Sequence, residues 1–183
     1  AGLQATADAF FDKTKKGLNG LHPNFKHSIL KDTDGILRSG YKQKNKDGKW
    51  EVGGYQSTVI CRTMDNPEVF KGERVSLMVF EEAGEFKHLK NAYMSSKACF
   101  MDGNLQFGVP VVGGTGGDIS KASKDFMDMY YEAEAYNLIP MFIPASRAYY
   151  GYFDINTGEE KVKEAESVLL EERETITNSG DRD

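Results

Sequence analysis

Apolar and polar positions along this chain follow two periods, and the period in force predicts each element. In residues 1–18, Leu3, Ala7, Phe10, Phe11 and Thr14 mark one face of a helix, with Lys13, Lys15 and Lys16 near its end and Gly17 as its stop. Asn19 to Asn24 is turn chemistry, and Ser28-Ile29-Leu30 and Ile36-Leu37 are short strands. Gly40 to Gly54 predicts a hairpin that turns at Asn45-Lys46-Asp47-Gly48 between Tyr41 and Trp50-Glu51-Val52. The β-branched run Ser57 to Thr63 predicts another strand, broken by Asp65-Asn66-Pro67.

The pattern then changes. Five of the six residues from Val75 to Phe80 are apolar, and Glu81 and Glu82 follow directly. A short unbroken apolar run suits a strand buried on both faces of a parallel sheet, whose carboxyl end borders the ligand crevice of open α/β sheets. Paired carboxylates there have the pattern of a Walker B strand in a nucleotide-hydrolysing ATPase: one helps hold Mg²⁺ and its neighbour polarises the attacking water. The same residues also fit a core strand running into an acidic helix start, where the helix dipole favours Glu.

Downstream, Phe86, Leu89, Ala92, Tyr93 and Ser96 give a helical stripe within Glu85 to Phe100. After a turn at Asp102-Gly103-Asn104, Phe107 to Val112 predicts a second apolar strand, with Pro110 inside it. Asp118 caps a predicted helix whose apolar face runs Ile119, Ala122, Phe126, Met129 and Ala133. Leu138 to Ile143 is a further apolar strand, and Glu159 to about Ile176 an acidic amphipathic helix packed through Val162, Ala165, Val168 and Leu169. The tail from Asn178 to Asp183 is polar and read as frayed. Alternation of strand and helix from Val75 to Ile143 makes the class α/β with a largely parallel sheet.

The stretch Gly113-Gly114-Thr115-Gly116-Gly117 can bring backbone N–H groups close to a phosphate. It is not a primary phosphate loop: GxxxxGK[ST] fails at Asp118-Ile119, and GxGxxG begun at Gly114 fails at Ile119. A plain tight turn is its simplest reading. The order of elements adds meaning: a strand ending in paired carboxylates, a helix, then a strand ending in Gly-Thr-Gly, where Thr115 offers a hydroxyl to a γ-phosphate or attacking water.

On these motifs the chain resembles the large terminase subunit of tailed bacteriophages, the ATPase motor that pumps DNA into a capsid. The resemblance covers most of the chain. It rests on Lys71-Gly72-Glu73-Arg74 leading into Val75 to Glu82, on Val111 to Gly117, and on the aromatic stretch Tyr149 to Asp154 before the acidic helix. It implies a three-layer, P-loop-NTPase-like (ASCE) mostly parallel sheet, incomplete, with a β-hairpin insertion. It implies a partial ATPase domain over residues 1–158, with the Walker B strand at 75–82 and the coupling motif at 113–117, followed by an acidic C-terminal helix and tail at 159–183.

By resemblance Glu81 is the Mg²⁺-associated carboxylate, acting through water, and Glu82 the catalytic one. Gly114, Thr115 and Gly116 fall on the motif that links hydrolysis to movement. The family usually has Asp where Glu81 stands. Mg²⁺ with ATP, double-stranded viral DNA, a portal, a small terminase subunit, a ring homo-oligomer and the cytoplasm of an infected bacterium are implied in the same way. The chain carries no Walker A loop, so the resemblance is to an excised part of the ATPase domain, inactive alone. The nuclease carboxylates of that family are also missing; Asp154 imitates the first of them, but Asn156-Thr157-Gly158 supports a turn.

Composition narrows the alternatives. The 183 residues carry a net charge of −5, no electrostatic match for a nucleic-acid backbone as a whole, although Lys42, Lys44, Lys46 and Lys49 make a local basic face. No run approaches a membrane span, no signal peptide is visible, and Ala1 rather than Met at the start suits a trimmed segment. Cys61 and Cys99 form no disulfide framework or metal spacing and read as buried thiols of a reducing compartment; His22, His27 and His88 form no ligand cluster. Arg62, Arg74 and Arg147 are each available for charge stabilisation. Two other functional readings stand beside the terminase one: a helicase-like ATPase of another family, and a catalytically inert α/β binding or scaffolding domain in which Glu81-Glu82 is a helix-start charge pair.

Overall fold

The amphipathic start of the chain forms α1 (Gln4–Gly20), which buries Ala7 and Phe11 and runs through Gly17 instead of stopping there. The computed structural model describes residues 4–33, 35–63, 66, 68–115, 123–147 and 149–179. Strands β1 (Ile29–Thr33), β2 (Ile36–Ser39), β3 (Tyr41–Lys44), β4 (Trp50–Gly53) and β5 (Thr58–Ile60) follow. They pair antiparallel as a three-stranded sheet in the order β1-β2-β5 and a separate β3–β4 hairpin, the latter at the predicted place.

The apolar run then supplies β6 (Leu77–Phe80). A 3₁₀ turn at Ala83–Glu85 leads into α2 (Leu89–Ser96), which is shorter than the predicted Glu85–Phe100 helix. Its stripe is nonetheless the one read from sequence: Phe86, Leu89, Ala92, Tyr93 and Ser96 are all buried. A two-residue hairpin of β7 (Met101–Asp102) and β8 (Leu105–Gln106) precedes β9 (Val109–Val112) and α3 (Ser123–Tyr131).

One core serves this region. Met78, Phe80, Phe86, Leu89, Tyr93, Phe100 and Met129 pack together, with Val112, Phe126, Tyr136 and Leu138 against them. Tyr93 sits at its centre, its ring 5.7 Å from those of Phe80 and Phe100, and donates its hydroxyl proton to the Tyr136 carbonyl at 2.7 Å. That bond satisfies the one polar group of the largest buried side chain.

The three-layer, mostly parallel P-loop-NTPase-like sheet is not what the chain builds. Among the described residues the only parallel strand pair is β6–β9, and the other three sheets are antiparallel. An extended parallel sheet is covered on both faces. Here Met78 and Phe80 point into the core, while Leu77 and Val79 of β6 and Val109 and Val111 of β9 are 58%, 39%, 56% and 43% exposed. The apolar run is thus a half-buried strand with an apolar outer face. Leu138 to Ile143, predicted as a strand, takes no place in a ladder, and Ile139, Met141, Phe142 and Ile143 are exposed.

Residues 139–183 form a second compact unit, distinct from residues 1–138. It contains α4 (Val162–Ser179), in which Ala165 is buried and Val162, Val168 and Leu169 are half-buried, as the amphipathic spacing predicts. Within this unit Tyr149 donates its hydroxyl proton to Glu172 at 2.5 Å, and Arg147 pairs with Glu160 at 3.4 Å. Among the described residues no helix is long and apolar enough to cross a membrane.

Candidate functional site

Parallel pairing brings together two stretches that lie about thirty residues apart in sequence. In the β6–β9 register Leu77 faces Val109 and Phe80 faces Val112, so both strands reach their carboxyl ends side by side. Past those ends the ladder continues through Gly113 N–H to the Phe80 carbonyl at 3.1 Å and Ala83 N–H to the Gly113 carbonyl at 2.9 Å. Glu81-Glu82 and Gly113-Gly114-Thr115 therefore occupy one end of the pair. Pro110 fits because the β9 donors toward β6 come from alternate residues; Val109 N–H bonds the Ser76 carbonyl at 2.9 Å, and the Pro110 nitrogen faces the free edge.

The backbone at Glu82 is unusual. Its φ and ψ are 54° and 50°, the left-handed region, and it starts the 3₁₀ turn with no hydrogen bond from its own side chain to the turn. A residue other than Gly, Asn or Asp in this region costs about 1–2 kcal/mol. The surroundings hold it there: Ala83, next in the chain, is fully buried and bound to Gly113 through its N–H. Among the described residues Gln56 and Asn137, away from these strand ends, share the left-handed region.

Gly114 closes the arrangement. A Cβ there would lie 2.8 Å from the Ala83 nitrogen and 3.2 Å from the Glu82 Cα, so only glycine lets the two backbones approach. Gly113, one residue earlier, has open space where a Cβ would stand. Thr115 is exposed just beyond this contact, and Glu81 is half-buried just before it. Gly116, the third expected coupling residue, lies outside the described residues, as do Gly117, Asp118, Ile119 and Ala122.

Two carboxylates of α3 fix the helix behind the site. Asp125 Oδ2 accepts from the Lys90 backbone N–H at 3.2 Å, capping the first turn of α2, whose own N-cap residue His88 makes no such bond. Lys90 Nζ pairs with Asp128 at 2.7 Å. The hydrogen bond to Asp128 raises the Lys90 ammonium above its ordinary value, and the same bond lowers the Asp128 carboxyl. The i, i+3 spacing of Asp125 and Asp128 was the available sequence signal; nothing local marks Ala83 as the link between the strand ends.

Other candidates resolve more simply. Asp154 Oδ1 accepts from the N–H groups of Asn156 and Thr157 at 2.8 and 3.1 Å, which lowers its carboxyl below the usual range and makes it a turn residue. Arg74 lies over the Phe107 ring and 3.7 Å from Asp102. The thiols of half-buried Cys61 and buried Cys99 donate to the Ala7 and Phe70 carbonyls, and burial pushes both above the ordinary thiol value. Among the described residues no three His, Cys, Asp or Glu side chains are grouped to hold a metal ion.

No family model, curated protein or solved structure matches this chain.

Proposed function

We propose that this chain is part of the ATPase motor of a phage large terminase subunit, coupling ATP hydrolysis to movement of double-stranded viral DNA. The observation that carries the reading is the junction of the Glu81-Glu82 and Gly113–Thr115 strand ends through Ala83 and Gly113. Left-handed backbone at Glu82 and the glycine-only contact at Gly114 support it. The substrate is Mg·ATP. Glu81 would hold the water shell of the substrate's Mg²⁺, and Glu82 would orient and polarise the attacking water. Thr115 follows the glycine contact in the chain, and its hydroxyl would be the group offered to the γ-phosphate. A rearrangement at Gly113-Gly114 would move the Glu82 backbone through Ala83, which is how hydrolysis and motion would be linked.

A phosphate-cradling loop would come from outside these 183 residues, so this chain alone binds ATP weakly and does not turn it over. A ring of such subunits, working on a portal with a small terminase subunit in the cytoplasm of an infected bacterium, is the setting that the reading implies. ATP turnover by the full-length protein, wild type beside Glu82→Gln, tests it. A loss of about a hundredfold or more in kcat with ATP binding retained supports the assignment. Unchanged turnover removes Glu82 from the chemistry and favours a catalytically inert binding domain.

A further inference from the structure

The β3–β4 hairpin is exposed along both strands except at Gly53. A two-stranded ribbon without a covering layer has little intrinsic stability, so what it presents to solvent calls for a reason. Cross-strand partners share a face: Lys42 opposes Val52 and Lys44 opposes Trp50 on one side, while Gln43 opposes Glu51 on the other. Gln43 donates to Glu51 at 2.9 Å, which holds that carboxylate on the opposite face. The Lys42–Lys44–Trp50 face therefore has no acid in its strands.

Trp50 is the chain's single tryptophan and is 68% exposed, with Lys44 Nζ 5.4 Å from its ring centroid. Lys46 and Lys49 lie in the connecting turn. Four lysines against Asp47 and Glu51 leave residues 41–53 at +2 on a chain whose net charge is −5. None of the four lysines has an ion-pair partner among the described residues. The turn is built, not floppy: Asn45 Oδ1 accepts from Asp47 and Lys49 N–H at 3.0 and 2.9 Å.

We infer that this face binds single-stranded nucleic acid, with Trp50 as a stacking platform for an unpaired base and Lys42 and Lys44 on the phosphates beside it. Charge complementarity selects a polyanion. The flat exposed ring selects an unpaired base over a duplex, whose bases are already stacked. The all-polar tip Asn45-Lys46-Asp47-Gly48 offers nothing apolar to insert into a bilayer. The inference stands independently of the ATPase reading.

Because Trp50 is the only tryptophan, its emission reports on this face alone. Titration of the 183-residue chain with oligo(dT) at low salt is expected to quench that emission saturably below about 100 μM. The logarithm of the binding constant should fall with log salt at roughly −0.7 per phosphate contact. With a labelled oligonucleotide, Trp50→Ala should weaken single-strand binding about tenfold or more. Lys42→Glu with Lys44→Glu should do likewise and flatten the salt slope, with unchanged circular dichroism melts as the folding control. Three results would overturn the inference: no quenching of the wild type at about 100 μM, a duplex bound as tightly as the single strand, or lysine variants that bind as wild type. A blue shift with phosphatidylserine vesicles and none of these responses to DNA would assign the face to membranes instead.

Discussion

The Ala83 N–H donates to the Gly113 carbonyl at 2.9 Å, tying the residue after Glu82 to the start of the glycine turn. The residue on the other side of Ala83 from the turn, Glu82, has left-handed backbone (φ 54°). The site is thus one backbone unit made from two separated stretches of sequence.

Gly114→Ala should destabilise the chain by about 1–3 kcal/mol, because its Cβ would meet backbone that cannot step aside. Gly113→Ala, with open space at the same atom, should stay within about 0.5 kcal/mol of wild type. Urea denaturation of the two variants side by side checks the contrast.

Glu82→Asn should leave the chain as stable as wild type or raise its stability by up to about 1 kcal/mol, since Asn tolerates the left-handed region better. If the proposed function holds, the same change should also abolish ATP turnover in the ATPase to which this chain would belong. A lower urea midpoint for Glu82→Asn would show that the backbone there is not strained.

Ser96 is 1% exposed, and its hydroxyl has no hydrogen-bond partner among the described residues. Ser96→Ala should therefore be neutral or stabilising by about 1 kcal/mol, since a desolvated and unpaired group is removed. Thermal melts at one pH decide this.

The Lys90–Asp128 pair sets a pH signature. Asp128 is lowered by its bond to Lys90, so its contribution is present above the unfolded value of about 3.9 and is lost as pH falls through the folded value. Lys90 is raised by the same bond, so its contribution is present below about 10.4 and is lost as pH rises through the folded value. The difference in melting temperature between wild type and Asp128→Asn should be flat from about pH 6 to 9 and shrink below about pH 4.

Local pattern was enough for the hairpin turning at Asn45–Gly48, for the α2 stripe through Leu89, Ala92, Tyr93 and Ser96, and for the apolar positions of α4. It failed where a distant partner decides. The run Val75 to Phe80 has the composition of a strand buried on both faces, yet composition is silent on whether anything covers Leu77 and Val79. Leu138 to Ile143 has strand composition but no ladder to join. Gly17 has the residue type of a helix stop, but its φ is not positive, and α1 runs on to Gly20. At the candidate site, the positions of Glu81, Glu82, Gly114 and Thr115 after apolar strands were legible. The left-handed backbone at Glu82 and the Ala83–Gly113 bond were not, because the bond joins two stretches about thirty residues apart and no residue type at Glu82 announces a positive φ.

The most direct test of the site as one unit is a double-mutant cycle on ATP turnover in the full-length protein, with Glu82→Gln, Gly114→Ala and the pair together. Losses of about a hundredfold or more and about tenfold or more are expected for the single changes, with a double mutant no slower than Glu82→Gln alone. Losses that multiply in the double mutant would contradict a single unit, because the two strand ends would then act independently.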